Sequence, residues 1–280
     1  MNPQLLFPLL RFYLATYGLL APQRANQTVW KLFSRPQRRS YLPSENALFH
    51  QAMHLQHEYQ GHQLQGYLWG QGGRQIWLTH GWQSHVLDFK HLIPALLAEG
   101  YQVVSFDMPA HGRSSGKLAN PPIFSAVWDE LSQKLGVPYA VIGHSMGANA
   151  LTHLFSSRWQ QEPITRFVAL APPTNPPGFF YQFCRQLRID QRKAEELIDL
   201  TKSLTGSSPR DFVMFDRFAQ LQAESVMVAY DEDDTIVPRR EMQDLQKAWP
   251  KAQFVATQGL EHNGLLRDPA LREQIIKFLR

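Results

Sequence analysis

From residue 51 to the end of the chain, short runs rich in β-branched and aromatic residues alternate with stretches of helical periodicity, the pattern of a sheet covered by helices on both faces. Gln51 to Tyr59 and His62 to Trp69 flank Gln60-Gly61, so they read as an antiparallel hairpin leading the sheet. Gln75 to Thr79, Tyr101 to Phe106, Tyr139 to Ile142 and Ile164 to Leu170 read as buried strands. Between them, His85 to Glu99 puts Val86, Phe89, Leu92, Ile93 and Leu96 on one helical face and stops at Gly100. Ile123 to Leu135 and Ala148 to Trp159 repeat that spacing. The expected fold class is α/β, with a mostly parallel, doubly wound sheet.

The alternation breaks at Ala171-Pro172-Pro173-Thr174-Asn175-Pro176-Pro177, where prolines forbid both a strand ladder and a helix interior. Only helical patterns follow until about Gln222. Strand and helix then alternate again through Ser225 to Tyr230, Pro238 to Trp249, Ala252 to Ala256 and Pro269 to Leu279. The chain therefore divides into an N-terminal arm (1–50), a first part of the core (51–171), a small helical cap inserted after the sixth strand (172–222) and a second part of the core (223–280).

Composition supplies the material for such a core: 44% of the 280 residues are hydrophobic, which excludes global disorder. The single cysteine, Cys184, rules out an intrachain disulfide and a cysteine-based zinc site, and fits a reducing, cytoplasmic compartment. A net charge of +4 spread along the chain is too weak to nominate nucleic acid. His50, His54, His57 and His62 fall on the predicted hairpin without carboxylate or cysteine partners, so they read as a polar sheet face, and no metal or cofactor is expected.

In the arm, the apolar stretch from Leu5 to Leu20 is broken by Arg11 and too short to span a bilayer, and no charge precedes it as a secretory signal would require. Arg11, Ala15 and Gly18 share a helical stripe, and Arg35, Arg38 and Arg39 follow. Two readings stand: a helix packed on the protein's own body, or a peripheral membrane contact through residues 1–40.

The chemistry centres on Gly143-His144-Ser145-Met146-Gly147, which follows a strand and opens a helix. Glycines on both sides allow a tight strand-to-helix turn that lifts the serine hydroxyl out of the sheet. A serine hydroxyl is a weak nucleophile near neutral pH and needs a histidine base, itself oriented by an acid. Asp231, Asp233 and Asp234 follow the strand Ser225 to Tyr230, and His262 follows Ala252 to Ala256, so acid, base and nucleophile all fall at one edge of the sheet. The residues by themselves do not choose among the three aspartates, any of which could instead close an Asx turn or cap a helix.

With that elbow and the order Ser, Asp, His, residues 50 to 280 resemble the α/β-hydrolase superfamily, in its serine esterase and lipase-like branch. His80-Gly81-Trp82 resembles the family's oxyanion loop, and Asp107-Met108-Pro109-Ala110-His111-Gly112-Arg113-Ser114 its D-x-P-x-H-G-x-S turn. The resemblance implies Asp234, four residues before Pro238, as the acid and His262, in a G-x-x-H loop, as the base. It gives His80 and His111 structural roles.

The implied mechanism is an acyl-enzyme on Ser145, with His262 moving the proton, Asp234 orienting it, and the backbone N–H groups of Trp82 and Met146 holding the oxyanion, each worth ~3 kcal/mol. Serine at the elbow argues against the branches with aspartate there, the dehalogenases and epoxide hydrolases. The expected partner is a small-molecule acyl ester or thioester, with Phe179, Phe180 and Phe183 of the cap as candidate pocket residues. An acyltransferase with the same triad, or a silent binding protein on the same fold, are the alternatives.

Overall fold

The computed structural model describes residues 3–42 and 46–280. Residues 1, 2 and 43–45 of the predicted arm lie outside the described residues. Strands β1 (Met53–Tyr59) and β2 (His62–Trp69) form a hairpin whose turn residues Gln60 and Gly61 have φ of 48° and 76°. Positive φ at both positions gives the turn the twist that antiparallel strands need, and glycine takes the second at no steric cost.

Six further strands run parallel: β3 (Gln75–Thr79), β4 (Gln102–Phe106), β5 (Ala140–His144), β6 (Ile164–Leu170), β7 (Ala223–Asp231) and β8 (Gln253–Thr257). The order across the sheet is β1-β2-β4-β3-β5-β6-β7-β8. The central strands are apolar throughout because both faces are covered. Trp77, Val104, Val141 and Phe167 enter one core layer, while Ile76, Val103, Ile142 and Val168 enter the other, all fully buried. Each such side chain contributes about 1.5–3 kcal/mol by leaving water.

The helices are α1 (Pro3–Leu20), α2 (Pro22–Phe33), α3 (Asn46–His50), α4 (Leu92–Ala98), α5 (Pro121–Leu135), α6 (Met146–His153), α7 (Pro176–Gln186), α8 (Gln191–Thr205), α9 (Arg239–Ala248), α10 (Glu261–Gly264) and α11 (Pro269–Leu279). The single helix expected over His85 to Glu99 is two pieces, a 3-10 turn at Val86–Phe89 and α4. Pro94 explains the break: its ring has no N–H for the Lys90 carbonyl and crowds it, so the α-helix can begin only within the preceding turn. His57 also departs from the expected polar face, being buried under α5 with Glu130 at 3.4 Å and Lys134 at 3.2 Å.

The segment between β6 and β7 holds α7, α8 and two 3-10 turns. Asn149 of α6 donates to the carbonyls of Pro173 at 3.1 Å and Phe212 at 2.7 Å, fixing both ends of this cap to the helix behind Ser145. The arm lies against the cap: Phe7, Leu10, Leu14, Val29 and Phe33 join Phe180, Cys184, Leu197 and Ile198 in a third apolar cluster. Arg11 faces the cap too, donating to the Gln186 carbonyl at 2.8 and 3.0 Å, so the arm's polar stripe is turned inward. Leu9, Phe12 and Leu20 stand exposed on another face of α1. Among the described residues no helix is long and apolar enough to cross a membrane.

Candidate active site

Parallel strands deliver their C-terminal ends to one edge, and each loop there brings a group of interest. The turn after β5 is the tightest. Ser145 sits at φ 52° and ψ −125°, a conformation costly for a residue with a Cβ and retained only where its surroundings enforce it. Its N–H is held by the Leu170 carbonyl at 2.8 Å. A Cβ on Gly143 would come within 2.4 Å of the Ala148 Cα, and one on Gly147 within 2.4 Å of the Thr79 carbonyl oxygen. Both glycines are thus required by close approach of backbone.

The loop after β3 runs beside this turn, with Gly81 so near that a Cβ there would meet the Ser145 Cβ at 2.8 Å. Trp82 and Met146 both line the cavity in front of Ser145. Their backbone N–H groups have no acceptor among the described residues, whereas that of Gln83 donates to His111 Nε2 at 3.1 Å. Met146 also opens α6, so its N–H sits at the positive end of the helix dipole.

The loops after β7 and β8 bring acid and base together. His262 Nδ1 lies 2.7 Å from Asp234 Oδ2, and Asp234 Oδ1 accepts the N–H groups of Ile236 at 2.8 Å and Val237 at 2.9 Å. Burial alone would raise the Asp234 pKa, but the His262 hydrogen bond, the Val237 and Ile236 N–H groups and the His262 charge outweigh it and hold the carboxyl below the usual range. The other two aspartates do different work. Asp231 accepts from Thr257 Oγ1 and the N–H groups of Leu260 and Glu261, and Asp233 from Gly259 N–H at 3.0 Å, so both staple the loop that carries His262. No hydrogen bond joins Ser145 Oγ to His262; such contacts tighten in substrate complexes.

The remaining histidines of this edge are neutral struts. His144 Nε2 lies 3.0 Å from the His262 carbonyl, and burial pushes its pKa down to about 4. His80 accepts the Met108 N–H at 3.0 Å and is held well below its usual range by burial. Burial likewise lowers His111 to about 4. Asp107, fully buried and pushed up to about 6 by desolvation, accepts from Tyr41, Val86 and Arg113, which locks its turn in place.

A cavity of about 650 Å³ opens onto Ser145 and His262. Phe179, Phe180 and Phe183 of α7 line it, as do Trp30, Phe33, Ser34 and Arg35 of the arm and Asn120 before α5. The arm's share was not foreseen from sequence; its only local signal is the buried stripe Ala25, Val29 and Trp30 on α2. A second cavity, about 390 Å³, lies at the opposite edge of the sheet beside Ala223, Ser225 and Gln253.

Comparison with known proteins agrees with this architecture. The family described as serine aminopeptidase, S33, matches residues 72–206. A serine hydrolase-like protein from Danio rerio is 31% identical over 105 residues, 35% of this chain and 32% of that protein. A probable serine hydrolase from Drosophila melanogaster is 26% identical over 204 residues, 70% of this chain and 54% of that protein. The chain thus spans about a third to a half of these relatives' length. An esterase from Pyrococcus furiosus has the same fold, with a TM-score of 0.63 at 19% identity, covering 88% of this chain and 95% of that one. The eight-stranded sheet of this chain thus has the α/β-hydrolase fold, and its residues 72–206 are similar to the serine aminopeptidase, S33, family.

Proposed function

We propose that the chain hydrolyses a carboxylic ester, with thioesters within its range, through an acyl-enzyme on Ser145. The reading rests on the 2.7 Å contact between Asp234 and His262, the latter lining the cavity together with Ser145 on its strained turn. Ser145 Oγ attacks the acyl carbon while His262 Nε2 takes its proton. The carbonyl oxygen gains negative charge, and the N–H groups of Trp82 and Met146 are the donors assigned to it. His262 returns the proton to the leaving alcohol, and water repeats the sequence in reverse to free the acid. Asp234 keeps the histidine's Nδ1 protonated and stabilises the imidazolium as it forms.

Phe179, Phe180 and Phe183 are assigned to an apolar acyl pocket. The exposed face of α1 with Leu9, Phe12 and Leu20 is assigned to contact with a membrane surface. Rapid quenching with p-nitrophenyl hexanoate, followed by mass spectrometry, is expected to find one acyl group on the Ser145 peptide. Its release to water supports the hydrolase. Capture of most of it by added alcohol or thiol would mean an acyltransferase, and neither adduct nor turnover would favour a silent binding protein.

A further inference from the structure

We propose that Ser34, Arg35 and Asn120 form a subsite for an anionic group, a carboxylate or a phosphate, carried by the ester substrate; this rests on the hydrolase reading above. Two buried polar atoms beside the Ser145 cavity have no partner among the described residues. Ser34 is 1% exposed and Asn120 5%, yet neither Ser34 Oγ nor Asn120 Nδ2 makes a hydrogen bond. Buried polar side-chain atoms are satisfied in the large majority of cases, and an orphan costs its full desolvation penalty. Both residues line the cavity that holds Ser145 and His262.

The two residues are neighbours by construction, because the Ala119 N–H donates to the Ser34 carbonyl at 2.7 Å. Asn120 also caps α5: its Oδ1 accepts the Ile123 N–H at 3.0 Å. That bond fixes the amide, since a flipped group would set N–H against N–H, and so Nδ2 remains as a donor. Arg35 is next to Ser34, exposed and lining the same cavity, and its guanidinium has no hydrogen-bond or ion-pair partner among the described residues. Its neighbours differ. Arg38 donates to the Gly112 carbonyl at 2.8 Å and the Ser114 carbonyl at 2.5 Å, and Arg39 makes a two-point contact with Asp88 at 2.8 and 3.1 Å.

Asn120, Ser34 and Arg35 thus line a cavity whose other walls include Trp30, Phe33 and Phe183, with the unpartnered amide and hydroxyl set just behind its surface. A group that satisfies all three must be rich in lone pairs, and the guanidinium favours negative charge. A neutral hydroxyl would satisfy one or two of them and gain nothing from Arg35.

The test uses matched ester pairs on the full chain. Mono-p-nitrophenyl esters of dicarboxylic acids, from succinate to suberate, are compared with p-nitrophenyl esters of monocarboxylic acids of the same length. Hexanoyl glycerophosphate is compared with hexanoylglycerol, which separates a phosphate on the alcohol side from a carboxylate on the acyl side. The anionic member of at least one pair is expected to have a kcat/KM higher by about tenfold, carried mainly in KM. Arg35→Gln, Ser34→Ala and Asn120→Asp should each shrink that ratio, Asn120→Asp most, since it keeps the capping oxygen while setting a carboxylate against the anion.

No preference in any pair, or a preference unchanged in these variants, would overturn the subsite and leave the orphaned atoms to bound water. Calorimetry on Ser145→Ala with the same pairs separates the two claims. Tighter binding of the anionic member without turnover by the wild type would uphold the subsite and sink the hydrolase reading, while turnover without discrimination would do the reverse.

Discussion

Replacing Gly147 by alanine tests whether the elbow is shaped by contact between backbones. The added Cβ would stand 2.4 Å from the Thr79 carbonyl oxygen and 2.5 Å from that of His80. Ordinary contact begins near 3.4 Å, so the end of β3 and the loop that follows must retreat from α6 by about 1 Å. That loop carries Trp82, and α6 begins with Met146, so the retreat separates the two N–H groups assigned to the oxyanion. A misplacement of about 1 Å costs on the order of 10²-fold in rate, and it should fall on kcat, because those donors act in the transition state. Overpacking adds about 1–3 kcal/mol of instability. The assay is steady-state hydrolysis of a p-nitrophenyl ester beside thermal unfolding. Gly178→Ala is the control, since a Cβ there meets nothing nearer than the Asn175 side chain at 3.5 Å. A Gly147→Ala enzyme with kcat within about threefold of wild type and an unchanged Tm would show that backbone contact at Gly147 does not shape the elbow.

Other outcomes follow from the same geometry. Asp234→Asn should lower kcat by about 10⁴, because an amide cannot hold the productive tautomer, whereas Asp231→Asn should act first on stability, by about 2 kcal/mol in urea unfolding, through the loosened 259–261 loop. His111, His144 and His153 are lowered to about 4 by burial, so their contribution is complete above their unfolded value of 6.5 and is lost as pH falls toward 4. Asp107, raised to about 6, opposes this in part, its contribution being greatest at low pH and lost as pH rises through 6. The urea midpoint should therefore fall between pH 6.5 and 4, and a flat or rising midpoint would contradict the neutral histidine struts. For the membrane contact, Leu9→Gln combined with Phe12→Gln should reduce sedimentation with anionic vesicles; equal partitioning of variant and wild type would rule the contact out. Substitution is the better probe, because truncation near residue 44 would also remove Tyr41 from Asp107 and Arg38 from the 112–116 carbonyls.

Much of the core was legible in the sequence because its signals are local. A strand buried on both faces reads as a short apolar run, and the Gln60-Gly61 turn names itself through positive φ. The elbow was legible for a similar reason, two glycines where backbones touch. What escaped depends on contacts between distant segments. Periodicity and spacing alone do not choose among Asp231, Asp233 and Asp234; the resemblance of the 234–238 loop singled out Asp234, and it is Asp234 that meets His262 across a 28-residue separation closed by the fold. The arm's place in the cavity depends on α1 and α2 meeting α7 and α8 across some 150 residues of sequence, so an amphipathic pattern could not distinguish a lid from a membrane. Asn120 announces a helix start, while its spare amide hydrogen matters only because Ser34 lies beside it.

The central claim is that Ser145 is an activated nucleophile, and a fluorescent fluorophosphonate tests it without the natural substrate. Wild type is expected to be labelled, Ser145→Ala not at all, and His262→Ala only slowly. Absence of labelling in folded wild type, or equal labelling of Ser145→Ala, would contradict that claim.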